Sequence, residues 1–325
     1  MKKNITKFLI NFNGLFPDFL LFFFEKLTKY LSYIYYESRK NKNIKSLLYI
    51  ENHKINLYLK KNDNQAHDVY RQLNHSYKIY ELPLLSILIN IINLKKYDAF
   101  LDLGSFMGYY PCVISKFFKK KLIKIHAIES NPEYCKIIDK NLIENKISNV
   151  TVYNEILSNK REKLFIYKES VYNKKFKKNM YEKTSITLDE FCEKNKILPK
   201  IIKIDVHGFE GKIFEGFKKI KEYTEIILLE LHPENFLKKF SNTSKKKILK
   251  YLLDKNFDCF LIPFENNLKI YNINKKSRIE DYKNSFRKIS LDNFDDLFFD
   301  KMESDNLILV TKKNINLKFI NALEK

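Results

Sequence analysis

The chain has 325 residues, which is too many for one small core and few for three domains, so we expect one large domain with an accessory segment. Its 45% hydrophobic and 15% aromatic content excludes a chain that is disordered throughout. A net charge of +21 is typical of nucleic-acid binding, but only five of the 60 basic residues are arginine, the usual bidentate reader of phosphate and guanine. We therefore do not expect a nucleic-acid partner.

Residues 16–36 form an apolar and aromatic N-terminal segment. Its charge-free run, Phe19 to Phe24, is much shorter than the roughly 20 residues that a membrane-spanning helix needs. We expect the segment to pack against the main domain or a partner subunit; peripheral contact with a membrane surface is the alternative. The four cysteines are scattered and form no C-x-x-C pair. This favours reduced thiols in a cytoplasmic protein, either free or peripheral at the inner face of the membrane.

Strands and helices alternate through the middle of the sequence. Residues 47–59 predict two short strands around a polar turn, and residues 82–94 predict a helix. A continuous apolar run at residues 99–104 is typical of a strand that is buried on both faces. Further strands are predicted at residues 123–129, 149–154, 201–206 and 225–231, with helices between them, and a closing hairpin at residues 258–264 and 306–311. This alternation predicts an α/β fold with a parallel, doubly wound sheet.

Glycine is scarce and unevenly placed. The chain holds six glycines, and five of them follow two of the predicted strands: Gly104, Gly108, Gly208, Gly211 and Gly216. In an open parallel sheet, ligands bind at the carboxyl ends of the strands, where glycine lets the backbone approach a ligand closely or adopt a positive φ. The two glycine-containing turns therefore predict a ligand site at this edge of the sheet.

The residues around the first turn indicate the kind of ligand. Glu129 ends the next strand, 21 residues after Gly108, where a carboxylate can accept hydrogen bonds from both hydroxyls of a ribose. The motif of the first turn is D-x-G-x-x-x-G, whereas a dinucleotide pyrophosphate favours G-x-G-x-x-G. S-adenosylmethionine has no phosphate, and its sulfonium and amino groups favour nearby carboxylates such as Asp102.

An ordered set of motifs resembles the FkbM-type family of S-adenosylmethionine-dependent methyltransferases. The motifs are Tyr80-Glu81, FLDLGSFMGYY (100–110), AIESNPEYCKIIDKNLIENKISNVTVYN (127–154), SITLDEF (185–191), KIDVHGFEGKIFEG (203–216) and LLELHPENF (228–236). The set is specific as a whole, although no single motif is. It implies a class I methyltransferase fold, which is Rossmann-like, with a seven-stranded, mostly parallel sheet and helices on both faces. It also implies methyl transfer, usually to a hydroxyl oxygen of sugars, glycolipids or polyketide-type natural products.

The resemblance also implies a division of the chain and a set of cofactor contacts. Residues 1–95 would be an accessory segment, residues 96–315 the methyltransferase domain with an insertion at 265–303, and residues 316–325 a tail. The residues that would contact S-adenosylmethionine are Glu81, Asp102, Gly104, Ser105, Gly108, Glu129, Ser130, Glu155 and Asp205. In this set Glu129 would bind the ribose, and the residues around Glu155 would border the adenine.

The second glycine-containing turn carries candidate catalytic residues. His207 stands where the family commonly has an acidic residue or Gln. If the strand stays extended, Asp205 and His207 point to one side of the sheet. Glu230 and His232 repeat this arrangement at the end of the following strand, so we expect four polar groups to converge beside the cofactor.

Three roles are open for Asp205, His207 and His232, which we assign as catalytic. One of the two histidines is the general base for the hydroxyl proton, because imidazole has an unperturbed pKa of about 6.5. Alternatively, both histidines bind a divalent metal together with Asp205 or Glu230. In the third interpretation, His207 stabilises a turn and His232 packs before Pro233. We assign no metal ligand from the sequence.

We predict O-methylation of a hydroxyl on a sugar, glycolipid or related metabolite. The first alternative is an RNA methyltransferase, which the net charge favours and which the lack of a target-amine motif after the fourth strand disfavours. The N-P-E-Y sequence at residues 131–134 imitates that motif but follows the second strand, so it predicts a helix start. The second alternative is a non-catalytic binding module, suggested by Ser105-Phe106 where the cofactor loop usually reads Ala-Asn. We expect the acceptor-binding residues within 1–95, 168–183 and 265–303.

Overall fold

The structure is a computed structural model. It describes residues 44–50, 53–60, 80–94, 97–119, 123–167, 180–262 and 286–313, and single residues at 63, 66, 69, 73 and 315. The aromatic segment at 16–36, the tail at 316–325 and much of the predicted acceptor segments lie outside these residues. Among the described residues, no helix is both long and apolar enough to cross a membrane.

Twelve strands and eight α-helices are described. The strands are β1 (Ile44–Ile50), β2 (His53–Leu59), β3 (Ala99–Leu103), β4 (Lys124–Glu129), β5 (Val150–Asn154), β6 (Lys163–Tyr167), β7 (Met180–Thr184), β8 (Ile201–Ile204), β9 (Ile226–Leu231), β10 (Phe257–Ile262), β11 (Arg287–Ile289) and β12 (Asn306–Lys312). The helices are α1 (Leu82–Leu94), α2 (Tyr109–Phe117), α3 (Pro132–Glu144), α4 (Leu188–Asn195), α5 (Glu210–Glu215), α6 (Glu234–Ser241), α7 (Lys245–Asp254) and α8 (Phe294–Phe298).

A central sheet of eight strands has the order β11-β10-β12-β9-β8-β3-β4-β5. The strands from β5 to β9 pair in parallel, and β12, β10 and β11 are added through antiparallel pairs. This confirms the predicted α/β fold and the closing hairpin. The sheet has one strand more than the seven predicted, because the three residues of β11 pair with β10. The strand order reverses between β3 and β8, which is where an open sheet of this kind binds ligands.

Helices cover both faces of the sheet because successive strand residues point to opposite sides. Phe100 and Ile201 belong to a hydrophobic cluster with helices α1, α2 and α3. Their neighbours Leu101 and Ile202 belong to a second cluster with α4, α5 and α7. Burial on both faces explains why β3 and β8 have apolar sequences without alternation.

Two buried asparagines of α3 attach the hairpin of β1 and β2 to the sheet domain. Asn141 accepts a hydrogen bond from the Tyr58 N–H at 2.6 Å and donates one to the Tyr58 carbonyl at 3.2 Å. Asn145 makes the same pair of contacts with Asn56, at 2.9 and 2.6 Å. Asn141 also donates to the carbonyl of Met107, at 2.8 Å, in the loop that follows β3. The side-chain amides thus hydrogen-bond the backbone of β2 as a neighbouring strand would. Part of the predicted accessory segment therefore packs beside the edge of the sheet where β3 and β8 end, which we call the ligand edge.

Replacing Asn141 tests this attachment. Asn141→Ala removes the partner of the Tyr58 N–H and is expected to lower the free energy of unfolding by about 1–3 kcal/mol. Asn159→Ala is the matched control, because Asn159 bonds only side chains: it donates to an exposed carboxylate, that of Glu215, and accepts a 3.3 Å hydrogen bond from the hydroxyl of Ser158. Its effect is expected to stay within about 0.5 kcal/mol. Urea denaturation followed by circular dichroism measures both, and equal losses in the two variants would contradict the attachment.

Candidate active site

The loop after β3 is a tight turn held between the two neighbouring strands. Gly104 and Gly108 have φ values of +82° and +77°, in the left-handed region that glycine adopts without strain. A Cβ on Gly104 would lie 1.7 Å from the carbonyl oxygen of Asp205, so no side chain fits at this position. The N–H groups of Gly104 and Ser105 donate to the carbonyl of Ile128 at 3.0 and 3.1 Å. The loop shape predicted from its glycines is therefore fixed by β4 on one side and β8 on the other.

Phe106 keeps a polar contact through its backbone, although the family's usual Asn side chain is missing. Its φ is +50°, and its N–H donates to Oε2 of Glu129 at 2.8 Å. Its ring packs edge-on against that of Tyr134, with 4.7 Å between the ring centroids. A left-handed conformation at a residue other than glycine costs about 1–3 kcal/mol, which the contacts on both sides of this loop offset.

Glu129 ends β4 with its carboxylate buried and oriented. Oε2 accepts the Phe106 N–H, and Oε1 accepts the N–H of Asn131, also at 2.8 Å. Burial raises the pKa of Glu129 to about 7, although both backbone hydrogen bonds act to lower it. Oε2 keeps a further lone pair, and Oε1 has only a long contact of 3.4 Å with the rotatable hydroxyl of Ser130 in addition, so a ribose hydroxyl can replace that contact and the group can accept from two ribose hydroxyls.

The N-P-E-Y segment is a helix start, as predicted. Asn131 is the N-cap of α3, and its side chain accepts the N–H of Glu133 at 2.9 Å. Pro132 occupies the first turn, where its missing N–H has no partner to lose. The side chain of Asn131 therefore serves the helix, and its own N–H orients Glu129.

A buried lysine that sequence reasoning missed lies among the acidic groups of this edge. Lys203 is 2% exposed, and its Nζ lies 3.0 Å from Oδ2 of Asp205 and 3.9 Å from Oδ1 of Asp102. It also lies 4.8 Å from the ring centroid of Tyr110. Burial acts to lower the pKa of Lys203, but the carboxylates of Asp205, Asp102 and Glu81 outweigh burial and raise it. The signal in the sequence was a lysine inside the otherwise apolar strand β8.

Glu81 reaches the same edge from the start of α1. Its Oε2 accepts a hydrogen bond from the hydroxyl of Tyr110 at 2.7 Å. One of its oxygens lies within 4.8 Å of oxygens of Asp205 and Glu230. Burial raises the pKa of Glu81. The Tyr80-Glu81 pair, which precedes the domain in sequence, is thus placed beside β8 and β9.

The turn after β8 brings Asp205 and His207 together in an unexpected way. The extended arrangement of these residues was wrong: β8 ends before Asp205, and His207 has a φ of +49°. Gly208, the next residue, also has a positive φ, of +94°, and is packed against α6, where a Cβ would lie 3.0 Å from the carbonyl oxygen of Phe236. The convergence of the polar groups is nevertheless present. Ligand atoms of Asp205, His207 and His232 lie within 4.8 Å of one another.

His232 is oriented by a carboxylate that the sequence did not identify. Its Nδ1 lies 2.7 Å from Oε1 of Glu210, the first residue of α5, which is 0% exposed. Its Nε2 lies 3.8 Å from Oδ1 of Asp205. The rings of His232 and His207 are 4.6 Å apart between centroids. In the sequence, Glu210 is marked only as an acidic residue between Gly208 and Gly211.

Burial and neighbouring charges shift the pKa values of these groups in different directions. Burial lowers the pKa of His207. Burial also disfavours the charged form of His232, but the carboxylates of Glu210, Glu230 and Asp205 outweigh it and raise the pKa to about 10. Burial raises the pKa of Glu230 well above its ordinary value. Asp205 behaves in the opposite way, because the adjacent ammonium and imidazole groups outweigh burial and hold its pKa well below the usual range.

The other predicted cofactor contacts make local interactions. The hydroxyl of Ser105 donates to the carbonyl of Asp102 at 2.9 Å, and that of Ser130 donates to Glu129 at 3.4 Å. Glu155 forms ion pairs with two lysines, from β7 and α4, each at 3.6 Å. The contacts of these residues with a cofactor stay predictions.

All four cysteines are free and buried. Cys112 is 0% exposed within α2, and burial raises the pKa of its thiol to about 12. A reactive cysteine needs its thiolate form, so Cys112 is a core residue of this helix.

Residues 102–259 match the family model described as the methyltransferase FkbM domain. The match covers just under half of the 325 residues. It includes the loop after β3, Glu129, and the residues that follow β8 and β9. It confirms the predicted resemblance to this family over the matched residues and, with it, the predicted cofactor, S-adenosylmethionine. No curated protein sequence matches this chain significantly.

Solved structures with a similar course of the chain include three methyltransferases. An O-methyltransferase from a trans-AT PKS multienzyme of Brevibacillus brevis, in complex with S-adenosyl-L-homocysteine, is 13% identical, with a TM-score of 0.40 and 80% of each chain covered. A SAM-dependent O-methyltransferase from Thermotoga maritima is 14% identical, with a TM-score of 0.39 and coverage of 83% of this chain and 93% of that one. A methyltransferase FkbM from Methylobacillus flagellatus is 13% identical, with a TM-score of 0.36; the similarity spans 51% of this chain and 43% of that one. These similarities are distant, and the fold is established by the strand order.

The residues at this edge fit S-adenosylmethionine. Both carboxylate oxygens of Asp102 are buried and have no hydrogen-bond partner among the residues that the structure describes. Lys203 supplies a positive charge 3.9 Å away, and a cationic ligand with an amino group, such as S-adenosylmethionine, would supply the hydrogen-bond donors that these oxygens lack. The turn at Gly104 brings backbone rather than side chains to the strand ends, and Glu129 offers acceptors for ribose hydroxyls.

The ionisation of Glu129 gives a pH test of the ribose contact. 5′-Methylthioadenosine carries the ribose but none of the groups of the methionine part that titrate. Because only the ionised carboxylate can accept from both ribose hydroxyls, its affinity should rise as the pH passes through the raised pKa of about 7. The expected gain between pH 6 and pH 8 is up to about tenfold. Calorimetric titrations at the two pH values measure it.

Glu129→Gln is the matched control for this titration. The amide keeps the shape of the side chain but does not ionise, so its weaker affinity should be independent of pH. A wild-type affinity that does not change with pH, or a pH dependence that persists in Glu129→Gln, would contradict the ribose assignment.

Proposed function

We propose that this S-adenosylmethionine-dependent methyltransferase, whose residues 102–259 form an FkbM methyltransferase domain, methylates a hydroxyl oxygen of a sugar, glycolipid or related metabolite. One observation carries the proposal. The loop that fits the cofactor lies at the reversal of strand order, directly against the turn with Asp205 and His207. A methyl donor and groups that can accept a proton thus belong to the same edge of the sheet.

The chain contributes alignment and proton handling to the reaction. When bound, S-adenosylmethionine supplies an activated methyl group: the acceptor oxygen bonds to its carbon, sulfur keeps the electron pair of the broken bond, and the hydroxyl proton leaves. The rigid turn at Gly104 and the buried carboxylates of Asp102 and Glu129 fix the position of the donor, and such alignment accounts for much of the rate in reactions of this kind. The cluster of Asp205, His207 and His232 receives the hydroxyl group and assists the loss of its proton.

The charge at this edge favours an uncharged polyhydroxyl acceptor. Carboxylates of Glu81, Asp205 and Glu230 lie within 4.8 Å of one another. Carboxylates accept hydrogen bonds from the hydroxyls of a sugar, whereas their negative charge repels the phosphates of RNA. This local charge supports the carbohydrate acceptor over RNA, in spite of the basic net charge of the whole chain.

Methyl transfer to defined acceptors tests the proposal. Purified protein is incubated with methyl-labelled S-adenosylmethionine and separate sets of glycosides, glycolipid headgroups and RNA. Mass spectrometry and NMR of the labelled products then locate the methyl group. We expect an O-methyl ether on a hydroxyl acceptor. Labelled RNA, without label in any hydroxyl metabolite, would contradict the proposal and support an RNA methyltransferase.

His207 is expected to act on the acceptor and not on the cofactor. His207→Ala should keep the affinity for S-adenosylmethionine and lower turnover at least tenfold, since groups that handle the reacting proton contribute typically about 10²–10⁴-fold. Asp258→Ala, on β10, where Asp258 pairs with Lys288, is the control and should keep full turnover. Calorimetry gives the affinity, and the release of S-adenosylhomocysteine gives the turnover. Unchanged turnover in His207→Ala would make this residue purely structural.

A further inference from the structure

Three side chains at the carboxyl ends of β8 and β9 have the ligand types and spacing of a metal centre. One ligand atom each of Asp205, His207 and His232 lie within 4.8 Å of one another. Nε2 of His232 is 3.8 Å from Oδ1 of Asp205. Two ligands of one ion, with bonds of about 2.1 Å, lie about 3.0–3.4 Å apart. A closing movement of about half an ångström would therefore bring this pair to ligand spacing.

Asp205 divides its two carboxylate oxygens between different partners. Oδ2 lies 3.0 Å from the ammonium group of Lys203. Oδ1, on the side of His232, is buried and accepts no hydrogen bond from the residues that the structure describes. A buried oxygen without a donor costs free energy, and a bound cation would recover it.

The other nitrogen of His232 is bonded in the way that metal-bound histidines require. Such histidines almost always donate their second ring N–H to a carboxylate or carbonyl, which fixes the tautomer and the ring orientation. Here Nδ1 of His232 contacts the wholly buried carboxylate of Glu210 at 2.7 Å. Glu210 is held in turn by the N–H of Gly208, at 3.2 Å. Nε2 is thereby presented to Asp205 and His207.

Carboxyl groups outnumber cationic groups at this edge. They come from six elements or their ends: Glu81, Asp102, Asp205, Glu210, Glu230 and Asp305. The buried ammonium group of Lys203 lies among them. Burial raises the pKa of Glu81, Asp102 and Glu230 and so favours their neutral forms. A divalent cation beside Asp205 would favour the ionised form of such groups.

The backbone at His207 is left-handed, with a φ of +49°. A residue other than glycine adopts this region at a cost of about 1–3 kcal/mol, and histidine does so more often than most. Gly208, the next residue, also has a positive φ and packs against α6. In this turn the rings of His207 and His232 lie 4.6 Å apart between centroids.

We propose that Asp205, His207 and His232 bind a divalent transition-metal ion of the Zn²⁺ type. Two imidazole ligands favour Zn²⁺ and its neighbours over Mg²⁺, which prefers oxygen ligands. Three ligands from the protein leave at least one position open, which is typical of catalytic rather than structural sites.

This inference deepens the proposed function and rests on it only for the role of the ion. The open position would take the oxygen of the acceptor hydroxyl, and the ion would lower the pKa of that hydroxyl. Its O–H bond would then break with loss of the proton to solvent, and the oxygen would keep the electron pair with which it attacks the methyl carbon. His207 and His232 would assist the loss of this proton as ligands of the ion.

A cobalt titration tests the site without any acceptor. The full chain, prepared without a histidine tag and stripped by dialysis against a chelator, is titrated with Co²⁺ and monitored by visible absorption. We expect one Co²⁺ per chain and its displacement by Zn²⁺. His207→Ala and His232→Ala should each weaken Co²⁺ binding at least about 100-fold, and Glu210→Gln about 10- to 100-fold. His53→Ala is the matched control and should bind as the wild type does.

The outcomes separate this inference from the proposed function. Calorimetry with S-adenosylmethionine and thermal melts monitored by circular dichroism are run on the same samples. A wild type that binds S-adenosylmethionine but neither Co²⁺ nor Zn²⁺ would overturn the metal site and leave the methyltransferase standing. Full-strength Co²⁺ binding by a folded His207→Ala/His232→Ala double variant would place the ion elsewhere and also overturn the site. Intact metal binding without binding of S-adenosylmethionine would contradict the proposed function alone.

Discussion

The buried ammonium group of Lys203 is the contact on which the ligand edge depends. It lies between Asp102 of β3 and Asp205 at the end of β8, 3.9 and 3.0 Å from their nearest oxygens. Without it, two carboxylates would be buried at adjacent strand ends with no compensating charge, at a cost of several kcal/mol. Lys203 therefore allows the neighbouring strands β3 and β8 to place their carboxylates, Asp102 and Asp205, close together where the strand order reverses.

Steric constraints determine where that acidic edge can bind ligands. The missing Cβ of Gly104 lets the loop after β3 contact the backbone of Asp205 directly. His207 and Gly208 both have a positive φ, and Gly208 packs against α6 where a side chain would not fit. Asp205 thus belongs to both proposed parts of the site: the loop at Gly104 that would hold the cofactor, and the cluster with His207 and His232 that would act on the acceptor. A change at this residue is therefore expected to affect both binding and chemistry, whereas changes at Glu129 or His207 affect one of them.

Much of this architecture could be predicted from sequence because its signals are local. The apolar runs of buried strands, the glycines of the two turns and the acid at residue 129 each depend on a few neighbouring residues. The strand β11 was missed because three residues carry no pattern of their own and pair only in the folded sheet. The contact of Glu210 with His232 joins residues 22 positions apart and exists only because the chain turns at His207. The extended strand that we expected would have separated them.

The most direct test of the central claim is calorimetric titration of the protein with S-adenosylmethionine. We predict binding by the wild type, and binding weakened about tenfold or more in Asp102→Ala and Glu129→Ala, because each variant loses a charged contact. Asp258→Ala, on β10 and paired there with Lys288, should bind as the wild type does. Folded wild-type protein that fails to bind, under conditions where a control methyltransferase binds, would contradict the cofactor site and the function built on it.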